Sequence, residues 1–337
     1  MRVLIVSLRV LQAERTVMLR ATSKRTRHAV DLLRPPAVIS VKRMWRNTCG
    51  AYEAVGLQQL LVLPWCCITS LGLNRCVIRA AGAAGLAQVL EQECAASLAR
   101  LDLRENWIGD EGVTTVAHVL GDCCRLTQLD LGYNRFESQG ARALADGLKR
   151  CPMMADLKLA GNKIGPQGAA WLAPVLARSS SLTRLDLNSN HIGAEGAGWV
   201  AGVLGECAAL AGLDLGGNDI GDEGIENLVS GLSRSTSLVS LDLRENGLRS
   251  PGATKLAPAL GQCVGLKRLC LIGNLLGSAG AASLGKGLLH CPVLELVDLR
   301  QNEVGAPEAG ELSEALGPGC AVLTLLRQCP MHPGVVM

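Results

Sequence analysis

The sequence predicts an α/β solenoid, a stack of short strand-and-helix units repeated along one axis. Three observations carry this. Asparagine recurs at Asn106, Asn134, Asn162, Asn190, Asn218, Asn246, Asn274 and Asn302, each 28 residues from the next. The nine residues ending on these positions share the form LxxLxLxxN. Hydrophobic residues make up 48% of the 337, yet aromatics only 2%, so the core must be assembled from many thin layers of Leu and Ala rather than around large rings.

Each element of the unit has a physical reason. LARLDLREN (98–106), LTQLDLGYN (126–134), LTRLDLNSN (182–190), LAGLDLGGN (210–218) and LVSLDLREN (238–246) place two Leu on one side of a short strand and the residue between them on the other. The third unit opens with Met154, and the eighth has Val297 for the second Leu. An earlier copy, ITSLGLNRC (68–76), puts Cys76 at the Asn position, with a two-residue insertion before Asn106. The Asn side chain carries both donor and acceptor, so inside a turn it satisfies backbone groups that no strand partner reaches. An apolar residue and then often Gly follow, as in Ile108-Gly109 and Ile192-Gly193. Next comes a helical pattern such as GAGWVAGVL (196–204), with Val200 and Leu204 on one face. One unit cannot bury both its strand and its helix face, but a stack can.

These residues resemble the ribonuclease-inhibitor-like class of leucine-rich repeats, also found in the sensor regions of NOD-like receptors and in the activating protein of the GTPase Ran. The resemblance spans about residues 66–317. It implies a curved horseshoe with parallel strands on the concave face and helices on the convex face. One difference stands out: ribonuclease inhibitor alternates two repeat lengths, whereas this chain keeps 28. The resemblance implies a protein-binding role, with activation of a small GTPase as the alternative.

Four segments follow from composition and register. Residues 1–48 hold eleven of the 33 basic residues and two of the 30 acidic ones, a net +9 that leaves −6 for the remainder. They read as a basic leader, disordered or targeting. Residues 49–97 read as a degenerate N-terminal cap and first imperfect repeat. Residues 98–317 hold the eight regular units. Residues 318–337 read as a C-terminal cap fragment and tail, with Val322 and Leu325 where a ninth strand would begin. Residues 54–74 are uncharged over a length that could span a bilayer, but Gln58, Gln59, Pro64 and Asn74 interrupt them, and a membrane association is not expected. Fourteen Cys without a clear secretory signal point to a reducing, cytoplasmic location; a targeting role for residues 1–48 makes it organellar instead.

Catalytic motifs are not found in a form that chemistry would use. Residues 280–287 approach a phosphate-binding loop but place Gly287 where magnesium needs a hydroxyl, and Leu284 falls on the core face of a repeat helix. The five His are scattered over different repeat positions. Cys123, Cys151, Cys207, Cys263 and Cys291 all lie 17 residues after their Asn, which reads as small-residue packing at the helix-to-strand turn. The expectation is a protein that is not an enzyme and has no cofactor, metal site or small-molecule substrate. The net-negative repeat body also argues against nucleic acid.

The strand face is the candidate surface. Its middle column reads Asp102, Asp130, Lys158, Asp186, Asp214, Asp242, Cys270 and Asp298. Carboxylates about 4.8 Å apart repel unless countered. Arg104, Arg184, Arg244 and Arg300 supply counter-charges, while Asp214, between Gly212 and Gly216, reads as the most exposed. Such a column suits a partner protein with a basic patch. Trp107 and Tyr133, in neighbouring units beside the Asn column, read as aromatic anchors. Trp171 and Trp199 share one helix position and are expected to fill the seam between helices.

Overall fold

The first Leu of each LxL motif pairs in register with its counterpart across parallel strands, and this pairing sets the architecture. The computed structural model describes residues 16–17, 37–40, 68–91 and 97–323. The chain divides into two compact units, Met1–His191 and Ile192–Met337.

In the first unit the strands run parallel in chain order: β1 (Thr16–Val17), β2 (Ala37–Ser40), β3 (Ile68–Gly72), β4 (Arg100–Asp102), β5 (Gln128–Asp130), β6 (Asp156–Lys158) and β7 (Arg184–Asp186). Helices α1 (Arg79–Val89), α2 (Gly109–Val119), α3 (Ser138–Leu148) and α4 (Gly165–Ala177) follow β3 to β6 in turn. The second unit begins with α5 (Gly193–Glu206). It continues with β8 (Gly212–Asp214), α6 (Gly221–Leu232), β9 (Ser240–Asp242), α7 (Ser250–Leu260), β10 (Arg268–Cys270), α8 (Gly277–Leu288), β11 (Leu296–Asp298), α9 (Ala306–Leu316) and β12 (Ala321–Leu323), its strands again parallel.

Two strands, β1 and β2, lie in the basic segment 1–48, to which the 28-residue register assigned none. The rest of that leader, residues 49–67 of the segment 49–97 and most of the uncharged stretch 54–74 fall outside the described residues. No helix among the described residues is long and apolar enough to cross a membrane. At the far end Val322 pairs with Val297, so a ninth regular strand position is filled, while Leu325 lies outside the described residues.

The core of each unit lies between the inward Leu of the strands and the Ala/Leu face of the helices. In the unit around Asn134, Leu129, Leu131, Phe136, Leu144 and Leu148 are all buried. Burying each Leu contributes roughly 1.5–3 kcal/mol before the entropy of ordering is counted. Helices pack closely enough to require Gly: a side chain on Gly147 would meet the Ala117 carbonyl at 2.5 Å, and Gly231 and Gly287 face the Ala201 and Ala257 carbonyls in the same way. Residues 280–287 lie inside α8, with Leu284 fully buried.

The Asn column ties consecutive units through their backbones. The Asn134 amide donates to the carbonyls of Leu103 (2.9 Å) and Leu131 (3.0 Å), while its Oδ1 accepts the N–H of Asn106 at 3.0 Å. In the second unit Asn246 donates to Leu215 (2.9 Å) and accepts the Asn218 N–H (3.0 Å). Each ladder Asn is at most 3% exposed, so these groups have no water to fall back on. At Cys76, which replaces Asn in the first imperfect unit, the backbone N–H still reaches Asn106 Oδ1 at 2.9 Å.

A second link was not foreseen. Where the third residue after the Asn is Gly109, Gly165, Gly193, Gly221 or Gly277, it turns left-handed, as Gly109 does (φ 62°) with its N–H reaching the next unit's Asn134 carbonyl, whereas Gly305 (φ −68°) donates to Ser278 Oγ at 3.2 Å. Glu137 and Arg249 take that place in two units, with φ near −115° and −111°. Their N–H groups instead bind an Asp of the preceding unit: Asp110 Oδ1 takes Glu137 (2.7 Å) and Gly140 (2.9 Å), and Asp222 Oδ1 takes Arg249 (2.8 Å) and Gly252 (3.1 Å). The Asp acts as a helix N-cap supplied by the neighbouring repeat.

Replacing Asn134 by Ala strands several buried backbone groups and is expected to cost about 3 kcal/mol or more. Asp110→Ala removes one partly exposed cap and is expected to cost about 1 kcal/mol. Urea unfolding of both variants tests the order; an equal loss would remove the distinction between ladder and cap.

Candidate protein-interaction surface

The LDL motif buries its two Leu and leaves the Asp between them on the solvent side of the strand. In the first unit Asp102, Asp130, Lys158 and Asp186 stand opposite one another in register. In the second, Asp214, Asp242, Cys270 and Asp298 do the same.

The carboxylates are less free than their spacing suggested. Each Asp accepts the backbone N–H two residues on: Asp102 from Arg104 (3.0 Å), Asp130 from Gly132 (3.0 Å), Asp186 from Asn188 (3.0 Å), Asp214 from Gly216 (2.9 Å), Asp242 from Arg244 (3.0 Å) and Asp298 from Arg300 (3.2 Å). This is an Asx turn, and it ends the strand and opens the Asn loop. Asp214 is therefore half-buried and engaged rather than bare between its glycines, and Asp298 is buried outright. The sequence signal was present as Asp at one fixed position, but it pointed as readily to a docking column as to a turn.

The counter-charges also differ from expectation. Arg300 grips Asp298 through two nitrogens (2.8 and 2.6 Å), and Arg244 pairs with Asp242. Arg104 turns its guanidinium away from Asp102, which instead receives the Asn74 amide at 2.8 Å. The cations acting on Asp186 are Lys158 and Arg104, with no ion pair to Arg184 among the described residues. Burial pushes Asp130 up to about 6, helped by repulsion from Asp102 and opposed by the Gly132 N–H, Lys158 and Arg104. Burial likewise raises Asp186.

Beyond the strand ends, Arg104 lies over the Tyr133 ring at 4.5 Å and Arg135 over Trp107 at 4.2 Å. Both rings remain largely exposed, Trp107 at 47% and Tyr133 at 40%. Glu105 takes Arg75 through both carboxylate oxygens (2.8 Å each) and Arg104 at 3.3 Å. These groups line a cavity of about 470 Å³. On the helix side, Trp171 and Trp199 do not fill a seam: both are more than 40% exposed, and Arg142 caps Trp171 at 4.7 Å.

The cysteine column has a geometry of its own. Cys151 and Cys291 donate their thiols to the Leu120 and Leu260 carbonyls of the preceding unit at 3.2 Å, and Cys263 to Leu232 at 3.4 Å. Burial pushes the Cys123 thiol up to about 12 and those of Cys151, Cys263 and Cys291 up to about 11. These are protonated structural donors, poor nucleophiles at neutral pH. With the native protein at pH 8, iodoacetamide mapping is expected to modify exposed Cys124 and spare Cys123, Cys151, Cys263 and Cys291. Rapid labelling of the buried four would contradict this.

Asp130 also yields a pH prediction. Because its folded pKa lies above the unfolded one, its contribution to stability is full below pH 4 and is lost as pH rises through about 6. Asp130→Asn keeps the acceptor for Gly132 and removes the charge. It is expected to be more stable than the parent at pH 7.5 by about 1–2 kcal/mol, and equal to it at pH 4. Urea unfolding at the two pH values checks this; a difference independent of pH would refute the burial cost.

Residues 95–117, 122–145, 178–198, 212–229 and 234–257 each match the family described as Leucine Rich repeat. No curated protein matches the chain. Among solved structures, an internalin C2 from Listeria monocytogenes is 21% identical over 71% of this chain and 83% of its own, with a TM-score of 0.47. The chain carries leucine-rich repeats, and the parallel strands and helices stacked in each unit are the solenoid such repeats build.

Proposed function

We propose that this protein is a non-catalytic scaffold that binds a partner protein along the solvent side of its strands. The observation that carries the reading is the in-register row of half-buried charged side chains on that side, Asp102, Asp130, Lys158 and Asp186 in the first unit and Asp214 and Asp242 in the second. A row of fixed side chains on short paired strands is pre-organised, so a partner loses little free energy in ordering it. The resemblance to ribonuclease-inhibitor-like repeats supports the same reading, and the strand side is the concave face of that class. The many cysteines favour a reducing, intracellular setting.

The partner's matching surface is basic. Each Asp uses Oδ1 in its own turn, while Oδ2 takes the neutral Asn74 amide in Asp102, the Arg244 guanidinium in Asp242 and the Arg300 guanidinium in Asp298. Asp102, Asp130, Asp186 and Asp214 therefore carry more of the attraction than Asp242 and Asp298, whose arginines neutralise them.

Changing Asp102, Asp130, Asp186 and Asp214 together to Asn keeps every turn acceptor and removes four charges. Partners captured by the full chain under reducing conditions are expected to be lost from this variant, with binding to the parent falling as salt rises. Retention of the same partners with the same salt dependence would refute the strand-side reading. A far-ultraviolet spectrum and urea midpoint for both proteins exclude misfolding as the cause.

A further inference from the structure

The residue before each of the eight ladder Asn, and the residue after six of them, occupies the left-handed region, where a residue with a Cβ is strained by roughly 1–2 kcal/mol and Gly is not. From Gly161 onward, six of the ten such positions are Gly or a small polar residue, Gly161, Ser189, Gly217, Asp219, Gly247 and Gly273, and His191, Glu245, Gln301 and Glu303 fill the rest. The repeats around Cys76, Asn106 and Asn134 use neither: Arg75 (φ 58°), Val77 (54°), Glu105 (58°), Trp107 (57°), Tyr133 (57°) and Arg135 (63°) fill every left-handed position beside these three residues. Folding gains little from them, since both rings remain 40% or more exposed. Strain retained without a packing return marks a functional site.

What these residues build is electropositive and rigid. The Tyr133 ring lies flat on Gly161, where a side chain would collide with it, and beneath Arg104. Arg135 lies over Trp107, and among the described residues it has no ion pair. A guanidinium stacked by its face keeps its in-plane N–H donors available. Glu105 offsets one of the three arginine charges, which leaves the cavity at +2. Glu105 also shows what the cavity accepts, since its carboxylate already takes donors from Arg75 and Arg104.

We propose that this cavity is a carboxylate-binding pocket that receives an acidic side chain of a partner protein, between the Arg135–Trp107 and Arg104–Tyr133 stacks. This rests on the scaffold reading only in taking the ligand to be a protein. Charge complementarity selects a peptide over a nucleic acid. Asp102, Asp130 and Asp186 lie along the strands of the same unit, and a uniformly anionic backbone would meet them on leaving the pocket. A peptide can put one carboxylate into the pocket and turn basic or neutral residues to the strands. Glu105 acts as an internal competitor that the incoming carboxylate displaces from part of its arginine contacts.

The test uses the full chain and a fluorescein-labelled peptide of four glutamates flanked by glycines, followed by anisotropy at low salt. The same peptide with glutamines, a twelve-nucleotide oligothymidylate and vesicles containing phosphatidylserine serve as comparisons. The glutamate peptide is expected to bind, Arg135→Ala to weaken it about tenfold and Glu105→Gln to tighten it about threefold. A general folding defect would not move the two variants in opposite directions. The glutamine peptide is expected not to bind. Absence of glutamate-peptide binding, or binding unchanged in both variants, would overturn the pocket. Preference for the oligonucleotide or the vesicles, lost with Arg135→Ala, would overturn the protein ligand. The fourfold Asp→Asn variant is expected to keep the pocket. Glutamate-peptide failure alongside charge-dependent partner loss refutes this inference alone, and failure of both refutes the scaffold as well.

Discussion

The structure depends on the hydrogen bonds of one buried side chain per repeat. The loop that carries the chain from strand to helix turns too tightly for its backbone groups to pair among themselves. The Asn amide supplies the missing partners, donating to its own unit and to the one before it, as Asn134 does to Leu131 and Leu103. Where it also accepts the N–H of the preceding Asn, as Asn134, Asn162, Asn246 and Asn274 do, one repeat's position fixes the next. The 28-residue period follows, since each ladder position must stand in register with the next.

Other regularities of the sequence are consequences of that constraint. The residue before each ladder Asn, and in six of eight repeats the residue after it, is left-handed, which favours Gly there. The Asp before the loop accepts an N–H that the turning chain would otherwise leave unpaired, so it recurs in six of the eight units between Asn106 and Asn302. Cysteine recurs on the opposite edge, where a small side chain that is apolar and still a donor reaches a carbonyl one unit back. Each is a local answer to the same requirement that every buried backbone group find a partner.

Function in such a molecule has to be written on positions that folding has already used. On the strands one carboxylate oxygen closes the turn, and in Asp102, Asp242 and Asp298 the other takes a side-chain donor. At the start of the stack the pattern is one of departure, with Arg75, Glu105, Trp107, Tyr133 and Arg135 standing where backbone geometry favours Gly. The two surfaces have opposite sign, acidic along the strands and basic in the cavity beyond their ends. Under the proposed scaffold reading, a partner that met both would carry charge in a defined order, which is a source of specificity.

The sequence by itself determined the repeat, the strand register, the inward Leu and the identity of the Asn column, because a solenoid makes contacts only between neighbouring units and periodicity records them directly. It also located the column of acidic residues and the Trp107–Tyr133 pair. Only the tertiary structure decided what those residues are engaged in. Whether an Asp bends back to its own N–H, and whether Arg104 turns to Asp102 or to Tyr133, depends on side-chain geometry that no spacing encodes. The Asp110 and Asp222 caps were hidden for a related reason. Each serves the helix of the following unit, so its role appears only when two units stand side by side.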